Sequence, residues 1–303
     1  MKIAHFSDLH LYARGAPAWK FLNKRLTGWV NLRSRRGAIH RAGYVDAIAR
    51  EIARLGVDHV IVTGDLTNLA LEAEYELARG VLERELGLDP TRVTIVPGNH
   101  DVYTRGALAS RRFEHYFAAW LRSDLPELAT DVNGGRFPVV KLRGEVAIIG
   151  LSSAVPRLPF VAAGALGRAQ IGALGRVLEH PEVARRTAVI ALHHPAVNPR
   201  SQLNRYLEGL RDAPALVAQL RPLARGLLVH GHLHRRIQRD VPTDSGRVQQ
   251  IGATSASLHH DAADRMAGFN VYEFDDSGVA RALAYVYSPH TGDFRLESVP
   301  KHV

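Results

Sequence analysis

Five short stretches of this chain carry side chains that could do chemistry together. They are Asp8-x-His10, Gly64-Asp65, Gly98-Asn99-His100-Asp101, His193-His194-Pro195 and Gly231-His232-Leu233-His234. They offer carboxylate, carboxamide and imidazole donors. The chain has no cysteine, so any metal must be held by His, Asp, Glu or Asn. Each stretch alone has an ordinary explanation. Asn99 and Asp101 suit a polar turn that bonds its own backbone. Asp8 and His10 suit a surface pair, and among 16 histidines chance pairs are expected. In an extended backbone residues i and i+2 face the same way. His232 and His234 are therefore expected to aim at one site, with His230 turned away and His5 structural. The triple His259-His260-Asp261 could reach such a site but is expected to be an ordinary polar loop.

What sets the five apart is their placement, since each follows a predicted strand. Lys2–Ser7, Val57–Thr63 and Arg92–Val96 are apolar or β-branched runs that end at Asp8, Asp65 and Asn99. Ala42, Val45, Ile48, Ala49, Ile52 and Leu55 repeat at helical spacing before Gly56, and a second helix is expected over Leu71–Leu86. Strand and helix alternating in this way indicate βαβ units with parallel strands, whose following loops emerge at one sheet edge. Further on, Leu108–Leu121 reads as a helix and Phe137–Leu142 with Val146–Leu151 as a hairpin. Thr187–Leu192 and Leu227–Val229 are strands that deliver the later histidines. The tail, with Val248–Ile251, Phe269–Phe274, Ala280–Tyr287 and Phe294–Glu297, is mainly antiparallel in character. Two mixed sheets packed together, with helices outside, accommodate both halves.

Over 303 residues, 46% hydrophobic and 23% charged is ordinary globular composition, and no linker or repeat divides the chain. The N-terminal apolar run is too short for a signal peptide, and no run approaches the 18 residues of a membrane span. The expected location is cytoplasmic. The net charge of +9 is unevenly placed. Between Leu9 and Val45 there is no acid, against Arg14, Lys20, Lys24, Arg25, Arg33, Arg35, Arg36 and Arg41. Such a surface suits an anionic partner: a phosphate ester, nucleic acid or lipid headgroup. Trp19, Leu22, Leu26, Trp29 and Val30 fall at helical spacing in this stretch. It either packs on or caps the protein, or lies on a membrane surface through residues 19–36.

Taken jointly and in order across residues 8–234, the five blocks resemble those of the calcineurin-like metallophosphoesterase superfamily. Phe6-Ser7-Asp8-Leu9-His10, Val96-Pro97-Gly98-Asn99-His100-Asp101 and His193-His194-Pro195 look most like bacterial class III cyclic-nucleotide phosphodiesterases. The resemblance implies an α/β fold, a four-layer α/β/β/α sandwich of two mixed sheets, as one domain over 1–303 with a basic amphipathic capping insertion at about 12–38. It implies two transition-metal ions, Mn, Fe or Zn. Asp8, His10 and His234 would bind the first, and Asn99, His193 and His232 the second. Asp65 would bridge both, and His194 is the alternative to His193. Water between two dications loses its proton near neutral pH and attacks phosphorus in line. His100 would protonate the leaving oxygen, with Asp101 either holding its tautomer or bracing the loop.

The implied activity is phosphodiester hydrolysis, with cyclic nucleotides as one substrate class. One alternative is a lipid-precursor pyrophosphatase resembling UDP-diacylglucosamine hydrolases, and another is a non-catalytic binding module on the same fold. The implied partner is an anionic phosphate ester. No dedicated nucleic-acid domain is expected, and the choice between monomer and dimer is open.

Overall fold

The computed structural model describes residues 1–13, 40–102, 104–157, 161–198, 201–275 and 278–301. The Trp-bearing basic segment, expected to cap the protein or touch a membrane, lies outside the described residues.

Fourteen strands are described: β1 Lys2–Phe6, β2 His59–Val62, β3 Val93–Ile95, β4 Thr130–Val132, β5 Gly135–Phe137, β6 Val139–Arg143, β7 Val146–Gly150, β8 Thr187–Ala191, β9 Arg225–His230, β10 Ile237–Pro242, β11 Arg247–Gly252, β12 Gly268–Asp275, β13 Gly278–Tyr287 and β14 Phe294–Ser298. They form two six-stranded sheets and one small hairpin. The first sheet has the order β14-β13-β12-β1-β2-β3 and the second β10-β11-β9-β8-β7-β6, while β4 and β5 pair alone. The strands β1, β2 and β3 run parallel, as do β7, β8, β9 and β11. The other neighbours are antiparallel, so both sheets are mixed.

Side-chain alternation explains the layering. Ile148, Val189, Ala191, Leu227 and Val229 pack in one core with the first sheet. Their neighbours Ala147, Ile149, Ala188, Ile190 and Leu228 pack in a second core with helix residues Leu174, Val177, Val183, Leu216 and Leu220. The architecture is a four-layer α/β/β/α sandwich.

Helix α1, Ala42–Leu55, buries Val45, Ile48, Ala49 and Ile52 and ends on Gly56 at φ 61°, the left-handed cap that glycine adopts without strain. Helix α2, Glu72–Gly80, runs on as a wider π turn, Val81–Leu86, closed by Gly87. The single helix expected over Leu108–Leu121 is instead two short pieces, α3 Arg105–Ala109 and α4 Arg112–Phe117. Arg111, at φ 47°, breaks the run, although Phe113, Phe117 and Trp120 are buried as the periodicity implies. The later helices are α5 Arg168–Glu179, α6 Pro181–Ala184, α7 Gln202–Glu208 and α8 Ala213–Leu220. The sequence carries no clear mark of helix α7 or strand β10, and at β4–β5 it shows only the turn Asn133-Gly134-Gly135.

Candidate metal centre

The site stands where parallel strands end. The loops after β1, β2 and β3 carry Asp8 and His10, Asp65, and Asn99 and His100, and those after β8 and β9 carry His193, His232 and His234. The loops knit to one another through their backbones. Asp8 N donates to Gly64 O at 2.9 Å, His10 N to Asp65 O at 2.9 Å, and Gly231 N to His193 O at 3.1 Å. Seven non-glycine residues have positive φ among those described, and five of them are Asp8, His10, Asp65, His232 and His234. Left-handed backbone at a residue with a Cβ costs on the order of 1 kcal/mol and persists where surrounding structure enforces it. This corrects the geometry expected for His232-x-His234. The pair does not sit on extended strand, and the tight turn sends the two rings to different points.

Two clusters of donor atoms result. In the first, His234 Nε2 lies 3.1 Å from His10 Nε2 and 3.1 Å from Asp8 Oδ1. In the second, His193 Nε2 lies 3.2 Å from Asn99 Oδ1, 3.3 Å from His232 Nδ1 and 3.3 Å from Asp65 Oδ2. The same Asp65 Oδ2 is 4.0 Å from His10 Nε2, so it stands between the clusters. Donors about 2.1 Å from a shared cation, in tetrahedral or octahedral arrangement, lie about 3.0–3.4 Å from one another. These separations match that spacing, except that His10 Nε2 stands 3.8 Å from Asp8 Oδ1. The donor set of imidazole, carboxylate and carboxamide is that of a borderline transition metal. The residues fit two ions.

The ring atoms facing away fix the tautomers. His193 Nδ1 donates to Thr63 O at 2.7 Å. A carbonyl only accepts, so Nδ1 carries the proton and Nε2 presents its lone pair inward. His100 Nδ1 likewise donates to Asn68 O at 2.6 Å. Asp65 Oδ1 accepts from His100 N at 2.8 Å, and Asp8 Oδ2 from His232 N at 3.0 Å. Burial works against ionised Asp65, but His193 and His100 beside it hold its carboxyl well below the usual carboxylate range. Burial also opposes a charged His193, and the Asp65 and Asp8 carboxylates outweigh it, pushing the imidazole up to about 9, so a cation would bind there in exchange for the Nε2 proton. Burial, first of all, holds His10 and His232 well below the ordinary histidine value. Neutral rings and ionised carboxylates are the states that bind cations.

Most of the expected site residues come together. His100 also reaches the first cluster, its ring centred 5.0 Å from that of His10. His194 does not take the place of His193, because its Nδ1 pairs with Ser153 Oγ and its Nε2 donates to Ala162 O, both at 2.8 Å. Asp101 departs from the tautomer-holding role expected for it. Its carboxylate accepts from Gly98 N, Leu66 N, Thr67 N and Thr67 Oγ1. It ties the β2 loop to the β3 loop, while Asn68 O orients His100. His5 is structural, with its ring between Tyr272 OH and Thr63 Oγ1. His259 pairs with Tyr44 OH and His260 with Ala262 N, so the loop triple turns to its own surroundings. His40, unmarked in the sequence, also stands beside the site: its ring centre is 5.0 Å from that of His10 and its Nδ1 meets Ser257 Oγ at 2.6 Å. No run in the sequence before His40 reads as a strand, so no local signal marked it.

Comparisons with known proteins bear on the family and the fold. Residues 1–236 match the calcineurin-like phosphoesterase family, and the chain belongs to it. It is 27% identical over 140 residues to the glycerophosphodiester phosphodiesterase GpdQ of Enterobacter lignolyticus (strain SCF1). That stretch is 46% of this chain and 39% of the relative, so the match spans well under half of that protein. Among solved structures, a dimetal phosphatase from Danio rerio superposes with a TM-score of 0.59 at 16% identity, over 93% of this chain and 94% of that one. The purple acid phosphatase PPD1 from yellow lupin (Lupinus luteus) seeds gives 0.59 at 11% identity, over 97% of this chain and 52% of that one. At these identities the structures speak for the fold.

Proposed function

We propose that the chain is a metal-dependent phosphodiesterase with a dinuclear centre. Asp8, His10 and His234 would hold one ion, Asn99, His193 and His232 the other, and Asp65 would bridge them. The observation that carries the reading is the position of Asp65 Oδ2, 3.3 Å from His193 Nε2 and 4.0 Å from His10 Nε2, between two complete donor clusters. The ions, when bound, supply Lewis-acid charge for the phosphoryl oxygens and activate water; Mn, Fe and Zn suit the donors.

The chain's own residues do the rest. Asp65 ties the two donor clusters together. Asn99 gives an oxygen donor without adding negative charge where an anionic ester must approach. His100, its Nδ1 proton on Asn68 O and its ring beside that of His10, would pass a proton to the departing ester oxygen. Asp101 holds the loop that presents His100 and Asn99. A binding module that had lost catalysis is disfavoured, because every donor is present.

Hydrolysis of bis(p-nitrophenyl) phosphate by metal-loaded protein tests the proposal. Activity should vanish on chelation and return with Mn. Asp65→Ala and Asn99→Ala should each lower kcat/KM more than about a hundredfold, since even partners outside the ligand set are worth tenfold to a hundredfold. Full activity in Asp65→Ala would refute the reading.

A further inference from the structure

On the His193/His232 flank of the centre a cleft of about 530 Å³ opens. One wall is the chain leaving the site, since Pro195 and Val197 follow His193 directly. The other comes from the end of α7 to the start of α8: Tyr206, Leu210, Arg211 and Pro214. A run of contacts joins this wall to the site. The His194 ring is centred 4.4 Å from that of His232, and its Nε2 donates to Ala162 O. Ala162 N in turn donates to Leu207 O at 2.8 Å, and Arg211 N to Gly164 O at 3.0 Å.

The chemistry of the cleft is distinctive. Its walls are mainly apolar, with Asn198 and Arg211 among the polar residues that line it, and the Arg211 guanidinium lies 4.8 Å over the Tyr206 ring. Tyr206 is 61% exposed and Val197 36%, although large apolar groups are ordinarily covered. A guanidinium stacked on a phenol ring, above apolar walls, is a platform for another flat ring, and such stacking tolerates any base.

Resting on the phosphodiesterase reading, we propose that this cleft receives a planar aromatic base on the ester arm that stays on phosphorus. His100 stands at the opposite flank, against His10, so the arm that leaves does so there. Water supplies OH to phosphorus and a proton to the departing oxygen, and the P–O bond on the His100 side breaks. The products are an alcohol and a monoester that still carries the base. The substrate class is therefore a nucleotide diester.

The test compares two esters with the same leaving group, thymidine 5′-(p-nitrophenyl phosphate) and methyl p-nitrophenyl phosphate. Wild-type kcat/KM should favour the thymidine ester by at least about tenfold, the equivalent of about 1.4 kcal/mol, within the range that stacking one base supplies. In Tyr206→Ala and Arg211→Ala that ratio should collapse toward one, with thymidine 5′-monophosphate as the phosphate-bearing product. Equal wild-type rates on the two esters, or an unchanged ratio in both variants, overturn the cleft assignment while leaving the phosphodiesterase standing. Calorimetric binding of thymidine 5′-monophosphate to the metal-loaded protein gives a readout apart from turnover. Binding no tighter than that of methyl phosphate would also refute the cleft, and failure to hydrolyse either ester would refute the phosphodiesterase itself.

Discussion

His100 and Asp101 are neighbours in sequence with different work. His100 faces the first donor cluster, whereas Asp101 is fully buried and spends both oxygens on loop amides and Thr67 Oγ1. Substitutions should separate them. His100→Ala should keep its metal content, read by elemental analysis, and lose about 10²–10⁴ in kcat on an ester with a poor alkoxide leaving group. The loss should be much smaller with p-nitrophenolate, which departs without a proton. An equal loss on both would remove the proton-donor role. Asp101→Asn should act on stability instead, because it turns a buried carbonyl-like acceptor into a donor facing backbone N–H groups. A buried unsatisfied pair costs about 1–3 kcal/mol, and the melting temperature should drop by several degrees.

The strand-end loops work only because glycine lets them approach. A Cβ on Gly231 would lie 1.9 Å from Ser7 Oγ and 2.2 Å from Asp8 Oδ2, and one on Gly98 would lie 2.2 Å from Asp65 Oδ1. Each would displace a carboxylate of the centre. Gly231→Ala should therefore lose metal from the Asp8 cluster and most of its activity while its circular dichroism stays near wild type. Gly172→Ala is the contrast. It lies in helix α5, where the nearest atom to a new Cβ is Arg176 Nη1 at 3.9 Å, and alanine is the better helix former by about 1 kcal/mol. That variant should melt no lower than wild type and keep its activity.

For the whole molecule, metal and protons act on stability through linkage. Ions that bind the folded state and not the unfolded one stabilise by RT ln(1 + [L]/Kd), about 2.7 kcal/mol at a hundredfold excess over Kd. Chelation should lower the melting temperature, and an unmoved transition would argue against a folded-state metal centre. Protons act through the buried neutral histidines. Burial lowers His5 and His194 to about 3 and His230 to about 4, against an ordinary value of about 6.5. Below pH 6.5 the unfolded chain takes up protons that these folded rings refuse. The contribution of these three rings is therefore complete above about 6.5 and is lost as pH falls from there toward about 3. His5→Gln should flatten, without abolishing, the fall of melting temperature between pH 7 and 4.

Local pattern alone determined much here. The β-branched runs marked β1, β2, β8 and β9, and the 3.6-residue repeat marked α1, because alternation and helical period are properties of neighbours in the chain. The donors were legible for the same reason, since each sits one to four residues past such a strand. The tertiary structure decided what depends on chain approach. It broke the expected 108–121 helix at Arg111, gave His232 and His234 left-handed backbone, and brought in His40 from beyond any strand. It also handed the orientation of His100 to Asn68, 32 positions away, because a hydrogen-bond partner is chosen by which loops meet at the sheet edge. The five blocks resembled those of a metal centre in the sequence, but the packing of two sheets decided which donor atoms gather in which cluster.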